Sequence, residues 1–232
     1  MSKSRVLFAV VLLAAAVAAQ ADVTVTPAVV SDYDLRGITQ TAQKPALQVG
    51  VDYADPSGLY LGAWGSNLDF GPGDPQAEVD LKGGFTFGDA KDGFAYDVGA
   101  IYYTYVNKSD YNYPEIYAGL KRGWFSAKLS YSWDYNGTRE SSYYLSTTGT
   151  VPLPQAFSLV GHIGYSAGNY WDRFYGGGYY DWSVGVTKKL GNFTVGLSFI
   201  DGSDLPSGRS KVFSTESRVV ASLATTLPWS AD

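Results

Sequence analysis

About twelve stretches of this chain alternate apolar and polar side chains residue by residue, and that period of two restricts what the chain can become. In an extended strand successive side chains point to opposite faces, so alternation builds a sheet with one apolar and one polar side. Phe125, Ala127, Leu129, Tyr131, Trp133 and Tyr135 share one face, against Ser126, Lys128, Ser130, Ser132 and Asp134 on the other. Val79, Leu81, Gly83, Phe85 and Phe87 oppose Glu78, Asp80, Lys82, Gly84 and Thr86 in the same way. A helix needs apolar residues at i, i+3, i+4 and i+7, which these runs do not supply. The predicted strands are 23–35, 46–54, 58–68, 77–88, 93–106, 114–121, 123–135, 141–151, 156–166, 179–190, 193–201 and 215–227.

The connections carry a second pattern. If Asp22 starts on the periplasmic side, the connections there are 55–58, 88–93, 121–123, 152–155 and 191–192. All are short and rich in turn-forming Gly, Pro, Asp and Asn. The opposite set, 37–45, 69–76, 107–113, 136–140, 167–178 and 201–214, is mostly longer. Short inner turns alternating with longer outer loops is the arrangement of outer-membrane barrels. The expected fold class is therefore all-β, a transmembrane antiparallel up-and-down β-barrel of about 12 strands. A secreted β-sandwich, the soluble alternative, has no reason to alternate its loops this way.

The N-terminus predicts export. Lys3 and Arg5 precede an apolar stretch at 6–19, and Ala19-Gln20-Ala21 has the small–x–small form that signal peptidase cuts. Residues 1–21 read as a cleaved signal peptide and 22–232 as one barrel domain. The apolar stretch is shorter than the roughly 20 residues a membrane helix needs. Losing Lys3 and Arg5 takes the formal charge from −5 to −7, which makes nucleic acid a poor partner. There is no cysteine for a disulfide or a thiolate metal site, and a single histidine excludes a His-rich one. No cofactor is expected. The expected partners are outer-membrane lipid, the barrel-insertion machinery and a small hydrophilic solute.

Several blocks of sequence resemble a known family. Val30-Ser31-Asp32-Tyr33-Asp34-Leu35-Arg36-Gly37-Ile38-Thr39-Gln40-Thr41 is similar to the opening block of the proteobacterial TorF family of porin-like proteins. The similarity continues through Pro45-Ala46-Leu47-Gln48-Val49-Gly50-Val51-Asp52-Tyr53 and the 57–67 segment, with shorter matches at Glu78-Val79-Asp80, 102–105 and Pro114-Glu115-Ile116-Tyr117. The resemblance implies an outer-membrane barrel and a porin function. It brings no substrate, cofactor or catalytic residue. Such barrels commonly end on an aromatic residue that the insertion machinery reads, whereas here Trp229 is followed by Ser230, Ala231 and Asp232.

In a barrel the polar face is the lumen, because a Lys or Arg at mid-depth on the lipid face costs roughly 2–4 kcal/mol. Asp52, Glu78, Asp80, Lys82, Asp97, Glu115, Lys128, Asp134 and Asp181 are the pore-lining candidates. Their acidic excess would favour cations in an open pore. Alternatively, acids and bases cross-pair and plug a structural or adhesive barrel. Arg36 is the pore-mouth candidate, either binding an anionic group of a solute or pairing with Asp32, Asp34 or a strand carboxylate to fix the first loop. The aromatic run Tyr170-Trp171-Asp172-Arg173-Phe174-Tyr175 belongs either to the outer girdle or to an inward constriction. No enzyme is expected. A hydrolase would have to use His162, whose same-strand neighbour Ser158 is too distant in an extended chain, so the serine would have to come from a neighbouring strand.

Overall fold

The structure is a computed structural model that describes residues 22–203, 205 and 212–229. The predicted signal peptide lies outside the described residues.

Each alternating run forms a strand. β1 (Asp22–Val30) is followed by two two-residue strands, β2 (Asp34–Leu35) and β3 (Ile38–Thr39). Then come β4 (Ala46–Ala54), β5 (Leu59–Asn67), β6 (Ala77–Gly88), β7 (Ala95–Tyr105) and β8 (Tyr113–Arg122). β9 (Phe125–Ser132), β10 (Ser142–Leu153), β11 (Phe157–Ala167), β12 (Tyr179–Leu190), β13 (Phe193–Gly202) and β14 (Arg218–Thr225) complete the set. Twelve of them, all but β2 and β3, close into one barrel in which every chain neighbour pairs antiparallel. Closure joins β1 to β14 through Ala28↔Ala224, Val29↔Leu223 and Val30↔Ser222, reinforced by a Val25↔Leu227 bridge. A closed sheet leaves no unpaired strand edge, which is what lets strands cross a bilayer.

The barrel is apolar outside and polar inside. Leu61, Leu81, Leu129, Leu145, Ile163, Val184 and Leu197 project outward with large exposed surfaces. Aromatic pairs form a band at each end. Phe87–Tyr96 and Phe193–Trp229 lie at the short-turn end, and Tyr131–Tyr143, Tyr165–Tyr180 and Trp182–Phe199 at the long-loop end. An apolar belt between two aromatic girdles matches a lipid bilayer, not water. The long-loop end corresponds to the outer end of such barrels.

Two expected elements fall differently. The first strand leaves the wall at Val30, not residue 35, and the chain from Ser31 turns into the lumen. The chain bends at Ser31 and Asp32 and becomes a strand again only at Asp34–Leu35, so the alternation of Asp32 and Asp34 continues past the end of the wall strand. The long connection after β11 holds a helix, α1 (Asn169–Tyr175), whose Tyr170 and Trp171 are buried in the lumen. Those two rings therefore belong to a constriction and not to the girdle, while Phe174 remains exposed.

Candidate functional site

The lumen is the concave, polar surface of this fold, and one small hairpin dominates it. β2 and β3 pair through Leu35↔Ile38 and Asp34↔Thr39, leaving Arg36 and Gly37 as a two-residue turn. Both have positive φ, 55° and 79°, the dihedral signature of a type I′ turn. Gly37 is required twice over. A Cβ there would sit 2.5 Å from the Cβ of Asp181 on β12, so the hairpin tip lies directly against the wall.

Arg218, on the inner face of β14, holds the hairpin by its base. Its Nε donates to Asp32 Oδ2 at 2.6 Å, its Nη2 to Asp34, and its Nη1 to the Gly37 carbonyl at 3.1 Å. Asp32 also accepts from the Thr39 and Thr41 hydroxyls at 2.5 and 3.0 Å. Arg36 reaches from the tip to the far wall. Its Nη2 donates to Glu115 Oε2 on β8 at 2.5 Å, and its guanidinium lies 4.4 Å from the centroid of the Tyr144 ring. Tyr179 donates to the Arg36 carbonyl at 2.9 Å. These charges are buried and paired. Such pairs contribute little net stability but fix geometry, because removing one partner costs roughly 3–5 kcal/mol.

Closely packed aromatics fill the space around the hairpin at the outer end. Tyr103–Tyr113, Tyr113–Tyr135 and Tyr135–Tyr170 have ring centroids 4.5, 4.7 and 4.7 Å apart, and Trp171 meets Tyr179 at 4.7 Å. Below the hairpin the lumen opens. A cavity of about 350 Å³ is bounded by Asp34, Arg36, Glu115, Lys128, His162 and Asp181. A second, of about 430 Å³ nearer the short-turn end, is lined by Asp97, Ser126, Lys128, Ser146 and Thr148. Lys128 borders both.

Most of the predicted lining residues face this interior. Asp52 pairs with Lys82 at 2.7 Å. Glu78 is fully buried and accepts from Tyr33 at 3.3 Å, with Asp80 beside it on the same face of β6. Asp97 accepts from Tyr60 at 2.7 Å, and Lys128 lies 4.4 Å over the Tyr117 ring. Asp181 accepts from Tyr144 at 3.1 Å and lies 3.2 Å from His162 Nε2. Asp134 is a correction. β9 ends at Ser132, and the Asp134 carboxylate instead accepts the Arg139 amide at 2.6 Å in the following outer turn.

Arg36 is a second correction. It sits at the tip of a hairpin inside the lumen, not at the end of a wall strand at the mouth. Its partner is a strand carboxylate, Glu115, while Asp32 and Asp34 are taken by Arg218. Arg218 went unnoticed in the sequence, although alternation puts it on the polar face with Ser222, opposite Val219 and Leu223. His162 Nδ1 lies 3.0 Å from the Thr148 hydroxyl and Nε2 3.0 Å from that of Tyr144, so neither neighbouring hydroxyl is a serine. Among the described residues no group of His, Cys, Asp or Glu is disposed to hold a metal ion. At the outer rim, the Lys44 ammonium bonds Asp69 at 2.5 Å and holds that carboxyl below its ordinary pKa.

A family model described as a bacterial protein of unknown function, Gcw_chp, matches residues 14–227. The chain belongs to the Gcw_chp family. No curated protein sequence matches it. Among solved structures it is similar to the KdgM porin, with a TM-score of 0.58 at 8% identity over 90% of this chain and 99% of that one. The NanC porin gives 0.58 at 9% identity over 88% and 98%. An outer-membrane channel from Pseudomonas putida F1 gives 0.51 at 9% identity over 91% and 96%. At this identity the likeness is one of fold, and it extends over nearly the whole of each relative.

Proposed function

We propose that this Gcw_chp protein is an outer-membrane channel for passive diffusion of small hydrophilic solutes or ions, performing no chemistry. The observation that carries the proposal is its inverted polarity: a closed wall with an apolar belt outside encloses cavities lined by charged and hydroxyl groups. A bilayer stabilises that exterior, and water-filled space stabilises that interior. The porin fold of the structural relatives and the resemblance to TorF porins support the same reading. On this reading residues 1–21 direct export, the insertion machinery assembles the barrel, and the short turns face the periplasm.

The lining supports a modest cation preference. Two acid–base pairs neutralise themselves, Asp52 with Lys82 and Glu115 with Arg36, whereas Asp32 and Asp34 share the single positive charge of Arg218. Among the described residues Glu78, Asp80, Asp97 and Asp181 form no salt bridge with Lys or Arg, whereas Lys128 stands as the opposing charge. Refolded protein in planar bilayers tests both statements. Channels should appear, and reversal potentials in a salt gradient should have the cation-selective sign. The filled outer half favours one rival, a plugged structural barrel, which predicts no conductance at all.

A further inference from the structure

On the outer side of the hairpin lies a pocket of about 250 Å³ whose lining contrasts with everything beneath it. Eight of its thirteen lining residues are aromatic, and none is charged. Leu35 and Ile38 of the hairpin contribute to it, so it adjoins the element that narrows the lumen. Its polar groups are amides and hydroxyls, from Gln40, Asn136, Thr138 and the tyrosines. Asn136 Nδ2 donates to the Tyr170 hydroxyl at 3.2 Å, which places an amide among the ring edges. Tyr111 and Phe213 at the pocket are 38% and 44% exposed, so it is reached from the loop side.

We infer that this pocket binds the ring of a neutral sugar arriving from the outer side. Aromatic faces carry negative potential and attract the positive C–H face of a pyranose, while amides and hydroxyls at the ring edges match its hydroxyl groups. An ionised solute would lose hydration there without gaining a charged partner. The volume lies below the roughly 300–1,000 Å³ of pockets that hold drug-sized ligands, which suits a single ring. The site's standing as an entrance rests on the channel reading above. Binding itself does not, so a titration separates the failure of one from the failure of the other.

The experiment is saturation-transfer NMR on the refolded, detergent-solubilised mature chain with methyl glucoside, methyl galactoside and methyl mannoside. Glucuronate and glucosamine serve as charged counterparts. At least one neutral sugar should bind with a Kd of about 1–10 mM, and more tightly than either charged one. Tyr111→Ala and Phe213→Ala remove exposed rings that pack on the buried Tyr105 and Phe70, and heat-modifiable gel migration confirms that each variant is folded. Each should weaken binding about threefold to tenfold, whereas Lys128→Ala should leave it unchanged. The inference is overturned if none of the three neutral sugars binds. Equal affinity in the ring-deletion variants, or preference for a charged sugar, overturns it as well.

Discussion

The outer and inner halves of the lumen are built from the same twelve strands to opposite ends. In the outer half a hairpin, a short helix and a cluster of tyrosines fill the section, and both arginines there, Arg36 and Arg218, are buried against carboxylates. In the inner half the same wall carries serine, threonine, Asp97 and Lys128 around open space. The difference comes from the connections. A two-residue turn such as Gly191-Asn192 cannot reach inward, whereas the fifteen residues between β1 and β4 carry Asp32, Asp34 and Arg36 into the barrel. Strands supply the wall and loops decide its bore, as expected when function resides on loops held by a rigid scaffold.

Several substitutions can break or sharpen this contrast. The largest effect is expected for Arg218→Ala, which leaves Asp32 and Asp34 buried without a cation. It should weaken hairpin docking by about 3–5 kcal/mol and raise single-channel conductance. Arg36→Ala comes next, at about 3 kcal/mol, since Glu115 keeps its hydrogen bond from Tyr103. Thermal unfolding in detergent checks the stability loss, and conductance the wider bore. Gly37→Ala forces a Cβ into the Asp181 wall at positive φ, so the tip should lift at a cost of about 1–3 kcal/mol. Solvent accessibility of a cysteine placed at Leu35 would report that movement.

In the inner half, Lys128→Ala should not alter folding but should move the reversal potential toward stronger cation selectivity. The smallest effect is expected for Lys44→Ala at the exposed rim, below about 1 kcal/mol. Because Lys44 depresses the Asp69 pKa, its contribution is present above the ordinary carboxylate range. It fades as pH falls through the lowered value. The wild type and Lys44→Ala should therefore converge in thermal stability in strong acid.

The wall was almost fully legible in the sequence, because a half-lipid, half-aqueous surface forces alternation along every strand. Boundaries such as 46–54, 77–88 and 179–190 coincide with β4, β6 and β12. The same rule places Glu78, Glu115, Lys128 and Asp181 on the inner face. It fails where the chain leaves the wall. Asp32, Tyr33 and Asp34 keep the strand-like pattern yet belong to the hairpin, and only the turn at Arg36-Gly37 hints at it. The Arg218–Asp32 and Arg36–Glu115 pairs join residues distant along the chain, so their existence depends on barrel closure, which no local pattern encodes. The inward Tyr170 and Trp171 were obscured for a related reason: an aromatic ring suits a girdle and a buried stack equally well.

The central claim is that the hairpin anchored by Arg218 sets the bore at the outer end. Its most direct test is single-channel conductance in planar bilayers, comparing wild type with Arg218→Ala after both are confirmed folded by heat-modifiable migration. The account predicts small cation-selective openings for wild type and larger ones for the variant. Identical conductance in the two proteins, or no channel in either, would contradict it.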